Sequence, residues 1–182
     1  MVAVTLRALS EDDFPALATW VQAEHVQEWW RDDGSLDAVR EQYGPCVTGI
    51  DPTEVFVIVS GGEDLGIVQR YRVAAHSEWR DTLERTGLAL PDAAGLDYLI
   101  GVPSRIGQGI GTEAVARCSA LTFADWLDIE RIVVTPQAAN RASCRVLEHA
   151  GYALRWTGQL ESSDPSDFGP SALYVLERPS AR

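Results

Sequence analysis

In the stretch Gly107-Gln108-Gly109-Ile110-Gly111-Thr112 a glycine stands at every other position, between the apolar run LDYLIGV and a segment, GTEAVARCSALTFADW, that reads as a helix. Glycines at such a junction let a foreign group come close to the backbone. The amides of a helix's first turn are unsatisfied and the helix dipole is positive there, so the fitting guest is an anion, above all a phosphate. Two common phosphate loops fail on spacing. The Walker pattern needs a lysine before the Ser/Thr, and Gly111-Thr112 has none. The dinucleotide fingerprint needs Gly-x-Gly-x-x-Gly in an early βαβ unit, whereas here the period differs and the preceding strand is the fourth. The same apolar strand carries Asp97. A carboxylate there is costly without a partner, which favours a functional role over an acid satisfied at the strand start by backbone or arginine.

The elements around these residues follow from periodicity. VAVTLRAL alternates as a half-buried strand. Ser10 with Asp13 makes a capping-box-like start for the helix FPALATWVQ, and Ser35 caps a second, LDAVREQY. TEVFVIVS and LGIVQRYRV form a hairpin across GGED. Residues 74–95 read as a loop or short helix over a site, with Trp79 at its middle. After the glycine loop comes a helix with Val115, Cys118, Leu121 and Trp126 near one face. RIVVTP is a buried strand, Asn140 caps RASCRVLEHA, and Gly151 takes the left-handed C′ position. GYALRWTGQL and SALYVLE are strands separated by SSDPSDFGP. The order βααβββαβαββ predicts an α+β, mixed α/β fold: a twisted mixed sheet of about seven strands with about four helices, as a single domain over residues 1–182.

Composition excludes several classes. With 182 residues, a formal charge of −12 and no repeats, the chain suits one soluble domain without the basic face that nucleic acid requires. No apolar run nears the roughly 18 to 20 residues of a membrane span, and the start lacks a secretory pattern. Cys46, Cys118 and Cys144 make neither a disulfide framework nor a metal site, and each reads as a buried, reduced thiol. The expected place is the cytoplasm, without nucleic acid, membrane or metal as partner. The acidic surface suits a cationic small substrate, though it also serves simple solubility.

GQGIGTEAV after LDYLIGV resembles the CoA-binding motif of the GNAT superfamily of acyl-CoA N-acyltransferases, and NRASCRVLEHAGY resembles that superfamily's next motif. A closer similarity, to the aminoglycoside 6′-N-acetyltransferases, runs through VTLRALSEDDFPALATWVQAEHVQEWW, REQYGPCV, LGIVQRY, LDYLIG and GPSALYVLE. The same pattern is similar to acyltransferases acting on lysine-type amines of siderophores. The resemblance implies acetyl-CoA as cofactor and a GNAT-like fold, working as a monomer or homodimer. It places the CoA pyrophosphate on the backbone of Gly107, Gln108, Gly109, Ile110, Gly111 and Thr112, where Ile106 replaces a usual Gln or Arg and Arg105 stands adjacent. Ile100, Gly101 and Val102 are to pair with pantetheine like an added strand, and Asn140 is to bond to that arm as well as cap its helix.

By the same resemblance Asp97 orients the acceptor amine and takes its proton. Tyr43, Gln69, Glu78, Trp79, Thr135 and Asp167 line the acceptor site. Trp29 and Trp30 either join that wall or pack in the core, and His25 is a packed or capping histidine more readily than a base. Two positions depart from the pattern. Thr135 stands where the resembled enzymes carry an acid, and Leu147 stands where many members carry a tyrosine that protonates the leaving thiolate. Tyr152, after Gly151, reads as structural. The expected reaction is transfer of acetyl from acetyl-CoA to a primary amine of a cationic small molecule, favouring the aminoglycoside 6′-amine. A siderophore lysine or hydroxylysine amine or a peptide N-terminus is the rival acceptor, and a non-catalytic acyl-CoA- or drug-binding module is the rival class.

Overall fold

The computed structural model describes residues 3–88, 90, 92–162 and 165–180. Parts of the expected first strand, of the 74–95 stretch and of SSDPSDFGP therefore lie outside the described residues. The strands are β1 (Val4–Ala8), β2 (Glu54–Ser60), β3 (Glu63–Arg72), β4 (Ala93–Ile100), β5 (Arg131–Val134), β6 (Ala153–Gln159) and β7 (Pro170–Glu177). They form a seven-stranded sheet in the order β1-β2-β3-β4-β5-β7-β6. Neighbours are antiparallel except β4 and β5, which are parallel and joined by a helical crossover. The helices are α1 (Phe14–Val21), α2 (Glu24–Gln27), α3 (Leu36–Thr48), α4 (Ser77–Glu84), α5 (Ile110–Asp125) and α6 (Arg141–His149).

Alternation along the strands divides the core between the two sheet faces. Val68, Ala94 and Leu96 pack with Val115 and Cys118 of α5 and Leu147 of α6. Ile67, Leu99 and Val57 face the other way, onto Leu17 of α1 and Val39 of α3. A smaller cluster joins Leu83 of α4 to Val73, Val133 and Leu173.

The expected caps form. Ser10 N–H and Oγ both donate to Asp13, at 2.9 Å, and Arg7 pairs with the same carboxylate and lowers its pKa to about 2. Ser35 Oγ accepts from Ala38 N–H (3.2 Å) and Asn140 Oδ1 from Ser143 N–H (3.0 Å). Gly61 and Gly62, both at positive φ, turn the β2–β3 hairpin.

Several expectations are corrected. α2 is an additional helix, whereas α4 is the short helix allowed for in the 74–95 stretch. α3 continues past Tyr43 through Gly44 and Pro45 to Thr48, whose hydroxyl donates to the Gly44 carbonyl before Gly49, at φ 75°, ends the helix. β4 begins at Ala93, which puts Asp97 mid-strand and removes the strand-start explanation for it. On α5 the core face runs through Ile110, Ala114, Val115, Cys118 and Thr122, while Leu121 and Trp126 are only half-buried. Cys46 is half-exposed, unlike Cys118 and Cys144. Tyr152 is buried as a structural residue, its hydroxyl 2.7 Å from Ser119 Oγ.

Two glycines predict opposite effects. A Cβ at Gly44 on α3 meets nothing within 4 Å, so Gly44→Ala should stabilise by about 0.5–1 kcal/mol. A Cβ at Gly66 on β3 would lie 2.1 Å from the Leu99 carbonyl oxygen, which is backbone and cannot step aside. Gly66→Ala should cost about 1–3 kcal/mol. Urea midpoints of the two variants should move in opposite directions.

Candidate functional site

β4 pairs with β5 only through Ala93, Ala94 and Gly95, set against Arg131, Ile132 and Val133. On its other edge β4 stays paired with β3 as far as Ile100 opposite Gly66. From Leu96 onward the sheet is therefore forked. A cleft of about 1630 Å3 fills the fork, running from the N-termini of α5 and α6 to a chamber under α2, α4 and the loop bearing Asp167.

At the first end, Gly107 and Gly109 have φ of 75° and 80°, and a Cβ on either would stand in open space. The first helical bond of α5 runs from Glu113 N–H to the Gly109 carbonyl (3.1 Å), so the amides of Ile110, Gly111 and Thr112 precede it. These residues line the cleft, as does Asn140, whose capping bond leaves it at the rim. Other expected residues also serve the fold. The Gln108 side chain donates to the Ser104 carbonyl (2.8 Å) outside the cleft, a bond separate from the backbone amide on which its expectation rests. A Cβ on Gly101 would lie 2.1 Å from Trp20, and its N–H is taken by the Leu65 carbonyl (2.7 Å). The Val102 carbonyl accepts from Arg105 N–H (3.0 Å) in a 3-10 turn, and its side chain packs into the core. Ile100 does line the cleft, but its carbonyl accepts from His25 Nε2 (2.8 Å), which makes His25 a packed residue bracing β4. Arg105 is paired with Glu63.

At the second end, Gln69 and Asp97 are opposite each other in the β3–β4 register, and Gln69 Nε2 donates to Asp97 Oδ2 (3.1 Å). Tyr71 lies over Gly95, where a Cβ would be 2.2 Å from its ring, and burial, with the charge of Asp97, holds its phenol well above the ordinary value. His76 meets the Tyr71 ring edge-on at 4.9 Å. Glu78, Trp79, Thr135, Asp167, Trp29 and Trp30 share the lining. Tyr43 does not. It is 1% exposed beneath the chamber, its hydroxyl without a hydrogen-bond partner among the described residues, because it shares the core-facing side of α3 with Val39. Leu147 is also fully buried, in the cluster beneath α6 rather than on the cleft. Tyr71, His76, Glu28 and Asp32 are lining residues absent from the sequence expectations. Strand alternation from Gln69 would have revealed Tyr71.

A family model described as an acetyltransferase (GNAT) domain matches residues 10–160. The chain belongs to the GNAT acetyltransferase family. Among curated relatives, this GNAT chain is 29% identical over 180 residues to the aminoglycoside N(6′)-acetyltransferase type 1 of Klebsiella pneumoniae, covering 96% of this chain and 83% of that one. It is 26% identical over 177 residues to the lysine N-acyltransferase MbtK of Mycobacterium tuberculosis, covering 96% and 78%. Among solved structures, the aminoglycoside acetyltransferase AAC(6′)-Ib in complex with coenzyme A and kanamycin superposes with a TM-score of 0.81 at 28% identity, over 97% of this chain and 95% of that one. Among the described residues no group of His, Cys, Asp and Glu could hold a metal ion, and no helix is long and apolar enough to cross a membrane.

All five tyrosines of this GNAT domain are held above the ordinary phenol value, chiefly by burial. The charges of Asp97 and Asp32 add to this at Tyr43, and that of Asp97 at Tyr71. A raised folded pKa means the folded state keeps protons that the unfolded state releases. Stability is then fully present below about pH 10 and falls as pH rises beyond it. Alkaline titration should show no phenolate absorbance before the circular dichroism signal of the fold is lost. Stepwise ionisation in the folded protein would contradict the burial of these hydroxyls.

Proposed function

We propose that the chain is an acetyl-CoA-dependent N-acetyltransferase that acetylates a primary amine of a cationic small molecule, the acceptor being the 6′-amine of an aminoglycoside. We read it as a single domain over residues 1–182, acting in the cytoplasm as a monomer or homodimer. The observation that carries this reading is the fork after Gly95, with Asp97 inside it and the glycine loop at its mouth. The family, the relatives' names and the complexes of the solved neighbour support it.

The chain's residues fit the cofactor. Gly107 and Gly109 leave a cradle that side chains would fill, and the amides of Ile110, Gly111 and Thr112 are free of helical bonds, which suits a pyrophosphate without a cationic side chain. The unpaired edge of β4 suits an extended amide-bearing arm, and Asn140 stands beside it. When bound, acetyl-CoA supplies a thioester carbonyl open to attack by a neutral amine. Asp97 orients that amine and accepts its proton, while Gln69 holds the carboxylate in position.

The acid missing at Thr135 is offset elsewhere. Asp32, Glu28, Glu78 and Asp167 all line the acceptor chamber, and the aromatic faces of Trp29, Trp30 and Trp79 suit the cationic edges of an amino sugar. The formal charge of −12 adds a long-range attraction for a polycation. The lysine acyltransferase relatives keep a lysine-type amine as the second reading.

Thiol release from acetyl-CoA across aminoglycosides, lysine derivatives and peptides tests this. Aminoglycosides should give the highest kcat/KM. Binding of acetyl-CoA without release to any amine would leave only a binding module. Asp97→Asn should lower turnover by about 10² or more with acetyl-CoA affinity unchanged, and an unaltered kcat would remove Asp97 from the mechanism. Thr135→Asp should lower KM for a polycationic acceptor by about two- to fivefold, an effect that salt should erase.

A further inference from the structure

Acyl transfer from a thioester ends with an electron pair on sulfur, and a hydrogen-bond donor facing that sulfur lowers the barrier. Asp97, as a carboxylate, can accept protons but cannot stabilise an anion. The next residue on β4 is Tyr98, and successive side chains of a strand point to opposite faces. Asp97 shares the face of Gln69 and Tyr71. Tyr98 faces α5 and α6, where its hydroxyl lies 2.7 Å from Ser143 Oγ and donates over a long 3.4 Å to the Ser143 carbonyl, a contact that a sulfur acceptor would replace, and its ring is 3.7 Å from the position a Cβ would take on Gly111. The fork opens at Leu96, so both residues stand just inside it, and Tyr98 and Ser143 both line the cleft. Tyr71 stands on the Asp97 face of the sheet, and Leu147 is apolar and buried in the core.

We propose that the Tyr98 hydroxyl, supported by Ser143, donates a hydrogen bond to the sulfur of CoA from the side of the fork opposite Asp97. The inference rests on the acetyl-CoA reading above. As the acceptor nitrogen bonds to the carbonyl carbon, the C–S bond breaks and its electron pair stays on sulfur, while the amine proton passes to Asp97 and on to solvent. Burial holds the Tyr98 phenol above its ordinary value, so it remains a donor at neutral pH. A thiol titrates near 8.5, below any such phenol, so the shared proton stays mainly on oxygen. Tyr98 thus stabilises the departing thiolate, which takes its own proton from solvent. Ser143 can donate in turn to the phenol oxygen, since its N–H is already spent on Asn140 and its hydroxyl is free to rotate.

The test is the pKa of the CoA thiol in the binary complex, read from thiolate ultraviolet absorbance, which needs no acceptor. In the wild-type complex it should lie below that of free CoA. Tyr98→Phe should raise it by about one unit, a tenfold loss of thiolate preference, with CoA affinity at pH 6 within about threefold and kcat reduced about tenfold. Ser143→Ala should raise it by a smaller amount, and this variant carries the test if Tyr98→Phe does not fold. A thiol pKa unchanged in a folded variant that binds CoA overturns the role of Tyr98 and leaves the proposed function standing. Failure of the wild-type protein to bind CoA overturns both.

Discussion

The parallel pairing of β4 with β5 stops at Gly95, and everything the molecule can do chemically depends on that stop. Neither strand is loose beyond it. β4 remains bonded to β3 through Ile100, and β5 remains bonded to β7 from Arg131 to Val134. Each half of the sheet is thus rigid on its outer edge and open on its inner one. Backbone groups inside a sheet normally demand partners, so an opening held on both sides invites a strand-like guest. His25 meets part of that demand at the Ile100 carbonyl, at the mouth of the fork.

The crossover helix must then be fixed at one end and available at the other. At the C-terminal end of α5, Arg70 is 3% exposed and bonds Asp125 and Glu54, each at 2.6 Å, with its guanidinium 4.6 Å from the Trp126 ring centre. Arg178 adds bonds to the carbonyls of Phe123, Trp126 and Ile129. Two cations therefore satisfy the end of the helix where the dipole is negative. At the N-terminal end Gly109 and Gly111 flank amides outside the helical ladder, and the Glu113 carboxylate of the first turn is paired with Arg117. That asymmetry leaves the positive end as the exposed one, in a protein whose net charge is strongly negative.

The glycine loop and Asn140 are legible in the sequence because their roles belong to the backbone: left-handed φ, missing Cβ atoms and a capping oxygen are all local. Asp97 is legible as an anomaly, a charge in an apolar strand. For Tyr43 and Gly101 the roles that the resemblance implies meet tertiary facts that no local pattern shows. Tyr43 sits one turn after Val39 on α3 and packs with it into the core. Gly101 is claimed by Trp20, which lies far away in sequence. The helix α2 is too short for its periodicity to stand out. Tyr71 needs only the alternation of β3, falling two residues from Gln69, and the β3–β4 register then sets it on the face of Asp97.

The two departures from the resembled pattern are instructive for the same reason. A position can lose its polar group when another element presents one to the same space, and the cleft draws on several such elements. Thr135 contributes no charge, yet the chamber draws carboxylates from the segment after α2, from α4 and from the loop before β7. Leu147 contributes no hydroxyl, yet it is buried, and the hydroxyls at that end of the cleft come from the start of α6 and from β4 itself. Chemistry in this cleft is set by what reaches the gap between the strands, whichever element supplies it. In the proposed reaction one strand supplies both signs of it: a proton acceptor on one face at Asp97 and a proton donor on the opposite face at Tyr98.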